Sequence, residues 1–200
     1  MDPDAYLCQL AEIFNGISVN TPSLSAIIAI ILAGLLLLAS GFASASEIAF
    51  FSLSPSDLND IEEGNHPSDG KISNLLADSE RLLATILITN NFVNVTIIML
   101  CNFFFMNVFV FHSPLAEFLI LTVILTFLLL LFGEIMPKIY SAQKTLAFCR
   151  FSAPVIYVLR KVFAPISAVL VHSTAFLNKH FAKKNHNISV DELSHALELT

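Results

Sequence analysis

The most apolar run of the chain extends from Leu115 to Phe132, and it constrains the fold more than any other stretch. About 20 consecutive apolar residues carry a helix across the hydrocarbon core of a bilayer. The whole sequence agrees with a membrane location, since 56% of its residues are hydrophobic and only 13% are charged, whereas soluble domains average roughly 25% charged residues. The sequence therefore predicts an all-α membrane protein with the lipid bilayer as its first partner.

The cysteines and the basic residues argue against several other classes of protein. Cys8, Cys101 and Cys149 do not have the spacing of a metal site, and we expect no disulfide framework. No basic residue precedes the first apolar run, so we expect no cleaved signal peptide. The sequence carries no nucleic-acid signature, and we expect no nucleic-acid partner.

Hydropathy predicts three transmembrane helices, which lie within residues 23–53, 82–111 and 115–136. Residues 54–81 are polar and acidic and contain glycine and proline breakers. They predict an excursion on the solvent side with one or two short helices. The segment from His112 to Pro114 is predicted to be a tight external turn between the second and third spans.

We assign residues 23–181 to the transmembrane domain and its belt helices. Residues 1–22 are predicted to form an external arm with an amphipathic helix that rests on the membrane. Between residues 138 and 181, apolar stretches alternate with basic residues, which predicts amphipathic belt helices at the inner surface. A fourth crossing over residues 163–177 is the alternative. Residues 182–200 are polar and end in the first turn of a predicted helix.

The lysines and arginines predict the orientation of the chain. None lies before residue 54, and none lies between the second and third predicted spans. Lys71 and Arg81 lie between the first two spans, and the other eight basic residues lie from Lys138 onward. The positive-inside rule then predicts three crossings of the inner (plasma) membrane, with an external N-terminus and a cytoplasmic C-terminus.

The motif Gly-Glu-Ile-Met-Pro-Lys, from Gly133 to Lys138, closes the third span. Pro137 has no N–H, so a helix through it leaves the carbonyl of Gly133 without its usual donor. Glu134 places a carboxylate beside that carbonyl at membrane depth, where an ionisable residue predicts a functional site. The alternative is that the span simply ends here and that Glu134 forms an interfacial ion pair with Lys138.

Polar residues of the first two spans are predicted to lie at a similar depth, in the cytoplasmic half of the membrane. Ser40 and Ser44 share one helical face, and Asn90 and Asn94 share another. Oxygen donors without sulfur or imidazole favour Mg²⁺, Na⁺ or Ca²⁺ over zinc or copper. A single carboxylate predicts modest affinity, as transport requires. The predicted metal ligands are Ser44, Asn90, Asn94, Gly133 and Glu134.

Each of these residues also has a purely structural interpretation. Ser44 and Ser46 would then be packing residues bonded to their own helix, and the asparagines would form interhelical hydrogen bonds. Glu47 would cap a partner or pair with a lysine. A hydrolase that uses Ser44 is disfavoured because no histidine or lysine base lies at its depth, so we expect no enzyme activity.

At three motifs the chain resembles the transmembrane domain of the cyclin M/CorC family of magnesium transporters. Ser44-Ala45-Ser46-Glu47 matches a small-residue motif of the first span. The stretch from Asn90 to Asn94 matches an asparagine motif of the second span, with Thr89 in place of the usual glycine. The motif from Gly133 to Lys138 matches Gly-Glu-x-x-Pro-Lys and is the most specific of the three. The resemblance covers about residues 24–200.

The resemblance implies a homodimer of three-helix domains surrounded by belt helices. It implies that a dehydrated Mg²⁺ is held in an inward-facing cavity and exported, with Na⁺ as the coupling ion. The positions that match the family's ion ligands are Ser44, Asn90, Gly133 and Glu134, with Asn94 as a further candidate. In the family a cytoplasmic acidic helical bundle and nucleotide-binding modules follow. Residues 182–200 would be the truncated start of that bundle, and a nucleotide would act only through modules that this chain lacks.

Residues 187–193 also resemble the gliding-motility-associated branch of the family. That likeness implies another role, as a membrane scaffold that supports a motility or secretion apparatus without transport. The two hypotheses differ in what they expect of a variant with a disabled ion site. A scaffold would still complement a deletion strain and co-purify with a partner, whereas a transporter would not function.

Overall fold

The computed structural model describes residues 18–110 and 114–173, and its described part is almost entirely helical. Three of its helical segments are long and apolar enough to cross a membrane, which confirms the predicted fold class. The helices are α1 (Leu24–Phe51), α2 (Pro55–Glu62), α3 (Asp69–Leu76), α4 (Ser79–Val108), α5 (Pro114–Leu128), α6 (Met136–Gln143), α7 (Thr145–Val162) and α8 (Ala164–Ser173). A π-helical segment, Leu129–Ile135, joins α5 to α6.

Helix α1 is the central element and packs against α4, the third span and α7. It begins where the Ser23 hydroxyl accepts a hydrogen bond from the N–H of Ala26, at 3.3 Å. Its first half exposes large aliphatic side chains such as Leu35 and Leu38 to the lipid. Its second half is built from small residues that are buried, from Ser40 to Ser46 with the exception of Phe42. Small side chains let neighbouring helices approach closely in a membrane.

The third span continues past the predicted end at Met136. Helix α6 carries it to Gln143, with Pro137 in its first turn. Proline is tolerated there because the first N–H groups of a helix have no partner within it. The prediction that the span ends at Met136 was therefore wrong by about two turns of helix.

Two short helices, α2 and α3, cover the end of the bundle where α1 ends and α4 begins, as the polar composition of residues 54–81 predicted. Helix α2 starts with a capping box, in which the side chain and backbone of Ser54 exchange hydrogen bonds with those of Asp57. These bonds lower the pKa of Asp57 below its ordinary value of 3.8. Ile72 and Leu75 of α3 pack into a buried apolar cluster with Ile156 of α7.

An ion pair between a buried aspartate and a partly exposed arginine ties α3 to α7. Asp69 is 1% exposed, and its carboxylate accepts hydrogen bonds from Arg150 Nε at 2.8 Å and from a terminal nitrogen of Arg150 at 3.1 Å. The backbone N–H of His66 donates to the same carboxylate at 2.9 Å. The Arg150 guanidinium holds the pKa of Asp69 below its ordinary value of 3.8, although burial of the carboxyl acts in the opposite direction.

Helix α7 meets α8 in a bend of 80°. Phe163 forms the elbow, two residues before Pro165, which lies in the first turn of α8. The two helices together have the length and composition of a broken span or a re-entrant loop, so the described residues allow three crossings or four. Both the belt-helix prediction and the alternative crossing over residues 163–177 stay open, because residues 174–177 lie outside the described part.

Every lysine and arginine in the described part lies at one end of the bundle, where α1 ends and α4 begins; we call this the basic end. At the opposite end, Ser18–Val19 pairs antiparallel with Phe109–Val110 in a two-stranded sheet. The predicted amphipathic helix of the N-terminal arm, the turn at residues 112–113 and the tail from residue 174 lie outside the described residues. The segregation of basic residues is the pattern on which the predicted orientation rests.

Candidate cation site

Ser40 joins the first and second spans through hydrogen bonds inside the bundle. Its hydroxyl is fully buried and lies 2.8 Å from Oδ1 of Asn90 and 2.6 Å from Oδ1 of Asn94. The two asparagines are one helical turn apart on α4 and therefore present their amides to the same neighbour. Three polar oxygens meet here in a region from which lipid and bulk water are largely excluded.

Gly133 brings the third span against the same serine. A Cβ atom built on Gly133 would lie 3.1 Å from the Ser40 hydroxyl oxygen and 3.5 Å from a methyl group of Leu37. A side chain there would push the Ser40 hydroxyl away by a few tenths of an ångström, so glycine favours this approach. The backbone of the third span consequently lies directly beside the oxygens contributed by the other two helices.

Gly41, the next residue along α1, makes a second close approach to the third span. A Cβ atom there would lie 2.9 Å from Cγ of Pro137 and 3.1 Å from the carbonyl oxygen of Phe132. The Phe132 carbonyl thus faces the first span across a glycine. Ser40 and Gly41 together form the surface of α1 on which the proline-containing turn rests.

The π-helical segment changes which carbonyls lack a donor. The N–H of Met136 bonds to the carbonyl of Leu131, five residues back, and so is withdrawn from its α-helical acceptor, Phe132. The π-helical donor for Phe132 would be residue 137, which is proline and has no N–H. The carbonyl of Phe132 therefore loses both of its ordinary donors, and the carbonyl of Gly133 loses its α-helical one. π-Helical turns of this kind are frequent at functional sites.

Ser44 lies one turn beyond Ser40 on α1 and is also fully buried. Its hydroxyl has no hydrogen-bond partner in the described structure. Leaving such a group unpaired costs roughly 1–3 kcal/mol of desolvation free energy. Nearby Ser46 differs, because its hydroxyl donates to the carbonyl of Phe42 in its own helix at 2.7 Å. The Ser44 hydroxyl is therefore an oxygen that is free to act as a ligand.

Glu134 points toward charge partners at the basic end. Its carboxylate accepts a hydrogen bond from Lys138 Nζ at 3.2 Å, and the same ammonium lies 3.4 Å from the carboxylate of Glu47 on α1. Two carboxylates therefore share one lysine. These side chains are partly exposed, between 27% and 45%, so the cluster lies at a mouth of the bundle rather than in its core.

A comparison with known families identifies the fold to which this arrangement belongs. Residues 30–200 match the family model of the cyclin M transmembrane N-terminal domain. The chain belongs to this family. It is also 32% identical over 130 residues to a UPF0053 protein of Haemophilus influenzae. That alignment covers 65% of this chain and 30% of the relative, so the chain spans well under half of the relative's length.

Within this cyclin M domain, the structure brings together four of the polar positions on which the sequence analysis drew. Asn90, Asn94 and Gly133 lie around Ser40, whereas Glu134 is bonded to Lys138, as the alternative interpretation expected. Ser44, and not Ser40, was the serine predicted to be a ligand. The signal for Ser40 was present in its position, one turn before Ser44 on the same face. What was missing is the register between α1 and α4, which a single sequence does not specify.

The candidate ligand atoms of the cyclin M domain are all oxygens, and most of them are uncharged. No group of three or more histidine, cysteine, aspartate or glutamate side chains lies together in residues 18–110 and 114–173. Hydroxyl, amide and backbone carbonyl oxygens are hard ligands that suit Mg²⁺, Ca²⁺ and Na⁺. The residues at the junction of the three spans therefore fit a hard cation, and the orphaned Ser44 hydroxyl adds a donor that packing alone does not explain.

Proposed function

We propose that this membrane domain binds and transports Mg²⁺, with Na⁺ as the coupling ion. The main support is that the Ser40 hydroxyl lies within hydrogen-bond distance of both Asn90 and Asn94, directly beside Gly133 of the third span. The ion would enter from the basic end. Transport, the ion and the coupling all go beyond family membership, so each needs its own test.

With both amide oxygens turned toward Ser40, hydrogen bonding alone leaves the cluster incompletely satisfied. A serine hydroxyl has one proton, and here two amide oxygens lie within 2.8 Å of it. One proton donates well to one acceptor, so the second oxygen is left without a full donor. A cation among these oxygens would satisfy all of them at once. Without an ion, either amide can rotate so that its NH₂ group donates to the serine.

We propose that the predicted ligands Ser44 and Glu134 complete the shell around an ion at this cluster. The Ser44 hydroxyl is free to coordinate because it has no bond to break. Glu134 would have to leave Lys138, and an arriving divalent cation would compete with that ammonium for the carboxylate. Such an exchange suits a transporter, because the lysine can later displace the ion and reset the site.

We further propose that the domain works as a homodimer in the inner (plasma) membrane, with the basic end in the cytoplasm. Support comes from the gathering of all described lysines and arginines at that end. The lipid-facing aliphatic half of α1 sets the depth of the domain in the bilayer.

Ion-dependent thermal stability of the purified chain tests the proposal. A ligand that binds only the folded state raises apparent stability, by about 1.4 kcal/mol at ten times its Kd. We expect Mg²⁺ to raise the melting temperature of the wild type by a few degrees and to do so more strongly than Na⁺ at equal concentration. Asn90→Ala and Glu134→Gln should remove this rise.

Asn107→Ala is the matched control, since Asn107 lies on the same helix but bonds to the carbonyl of Phe103. It should retain the response to Mg²⁺. Uptake of Mg²⁺ into liposomes that contain the reconstituted domain then separates transport from binding. An Asn90→Ala protein that is stabilised by Mg²⁺ and moves it like the wild type would sink the proposal.

A further inference from the structure

A second polar cavity lies at the basic end, away from the cation site. It occupies about 200 Å³ where the start of α4 faces the elbow between α7 and α8. Three of its lining side chains are cations, and the helix end at Ala164 closes one side. The lining residues are Asn74, Arg81, Tyr157, Arg160, Lys161 and Ala164.

The three cations of this pocket retain unused hydrogen-bonding capacity. Arg81 forms an ion pair with Asp78, whose carboxylate oxygen lies 3.5 Å from Arg81 Nε, but that buried nitrogen makes no hydrogen bond. Arg160 uses one terminal nitrogen to donate to the backbone carbonyl of Asn74 at 2.9 Å. Lys161 Nζ lies 4.8 Å from the centre of the Tyr157 ring, in a cation–π contact.

Helix α8 directs its positive end at the same pocket. Its first intrahelical bond runs from the N–H of Ser167 to the carbonyl of Phe163, at 2.9 Å. The N–H groups of Ala164 and Ile166 precede that bond, so they have no acceptor within the helix. Free N–H groups at a helix start, together with the helix dipole, favour an anion. The pocket thus combines three side-chain cations with a helix N-terminus.

A separate, mostly apolar groove lies between the same two helices, α4 and α8. It has a volume of about 210 Å³ and is lined by Leu83, Ala84 and Leu87 of α4 and by Leu170 and Val171 of α8. These residues lie after Arg81 on α4 and after Ala164 on α8, so both helices run from the cationic pocket toward the groove. Glu80, in the first turn of α4, is the acidic residue on its wall.

We propose that the pocket and groove bind an anionic glycerophospholipid of the leaflet at the basic end. The phosphate would accept hydrogen bonds from Arg81, Arg160 and Lys161, and one acyl chain would lie along Leu83 and Leu87. Guanidinium groups match phosphate oxygens in pairs. A free phosphate shares this headgroup chemistry, but it would leave the adjoining apolar groove uncovered. Along α4 and α8 the cations come first and the apolar residues follow. This matches the order of headgroup and acyl chain in a lipid that enters from the membrane surface.

The proposed site has a structural consequence for the fold. The phosphate would bridge Arg81, on the second span, to Arg160 and Lys161, on the last turn of α7. It would thereby fix the 80° elbow between α7 and α8 against α4. This inference is independent of the cation site, since it shares none of its residues.

The experiment compares lipid retention by native mass spectrometry of the detergent-purified chain. Phosphatidylglycerol, phosphatidylcholine and inorganic phosphate are the three probes. We expect phosphatidylglycerol to be retained at least tenfold better than phosphatidylcholine. Each removed cation should weaken retention by about fivefold, since a basic residue near an anionic surface contributes about that factor.

Arg160→Gln and Lys161→Gln are the test variants, and Lys144→Gln is the matched control outside the pocket. Lys161 is exposed, so its replacement leaves the fold intact and keeps the test decisive. Leu87→Ser should reduce retention of the lipid but leave binding of inorganic phosphate unchanged. If the Lys161→Gln and Lys144→Gln variants retained phosphatidylglycerol equally well, the proposed site would be overturned. Retention of inorganic phosphate equal to that of phosphatidylglycerol would overturn the lipid as its occupant.

Discussion

Gly41 of the first span lies directly against Pro137 of the third, so closely that a Cβ on Gly41 would be 2.9 Å from the proline ring. The proline that interrupts the third span is therefore held in place by a glycine of the first. This contact couples the helix break to the serines on either side of Gly41. It also yields the most direct test of how the three spans fit together.

Gly41→Ala should destabilise the domain by about 1–3 kcal/mol, because the new methyl group meets the ring of Pro137 and the carbonyl of Phe132. The measurement is the melting temperature in detergent. Gly34→Ala, on the same helix, is the control, since a Cβ there meets nothing within 4 Å. Equal melting temperatures for the two variants would contradict the packing described.

Ser40→Ala should also destabilise the ion-free protein, by about 1–3 kcal/mol, because the amides of Asn90 and Asn94 lose their shared buried partner. Ser46→Ala provides the comparison. Its hydroxyl bonds to a carbonyl of its own helix, so little should change when it is removed. Thermal unfolding in the presence of a chelator measures both. If Ser46→Ala lowered the stability more than Ser40→Ala does, the serine–asparagine cluster would contribute little to the stability of the ion-free protein.

Ser44→Ala should leave the ion-free stability unchanged or raise it slightly, because it removes a buried hydroxyl that has no partner. If Ser44 coordinates the ion, the same variant should lose part of the stabilisation by Mg²⁺. The two effects have opposite signs, and a titration of melting temperature against Mg²⁺ resolves them. A drop in ion-free stability as large as that of Ser40→Ala would mean that Ser44 has a structural partner instead.

Pro137→Ala should restore an N–H at the point where the third span turns π-helical. The new donor would reach the carbonyl of Phe132 or Gly133 and make it unavailable to an ion. We expect the response to Mg²⁺ to fall while the helix content, measured by circular dichroism, stays the same or rises. An unchanged Mg²⁺ response would show that these carbonyls are not ligands.

Asp69→Asn should lower the melting temperature by several degrees at pH 7, because Arg150 would lose its charged partner in the interface between α3 and α7. The folded-state pKa of Asp69 lies below its ordinary value, so its contribution is present above about pH 4 and is lost as the pH falls through that lowered value. The difference between wild type and variant should therefore shrink from pH 7 toward pH 3. Glu62→Gln, at an exposed position, is the control; a pH-independent difference for Asp69→Asn would contradict the linkage.

The scaffold role stays a prediction. It rests on residues 187–193, which lie outside the described part of the chain. Complementation of a deletion strain by the Asn90→Ala variant would favour it over transport. The domain boundaries at residues 22 and 181 and the homodimer also stay predictions.

Much of the fold followed from the sequence because membrane burial imposes simple rules. An apolar segment must form a helix to satisfy its backbone in lipid, so the three spans were found to within a few residues at most ends. The two short helices of residues 54–81 followed from breakers and polar composition. The end of the third span did not follow from the sequence, because a proline in the first turn of a helix is compatible with a helix that continues.

The sequence by itself determined that hydroxyl, amide and carboxylate side chains lie near the same end of three helices, because this depends only on their position along each span. Tertiary structure alone decided that Ser40, rather than Ser44, meets the asparagines and that Lys138 holds Glu134 and Glu47. The rotation and register of one helix against another depend on contacts as small as the glycines at 41 and 133. Such contacts are set by the shapes of all three helices at once, and no single segment encodes them.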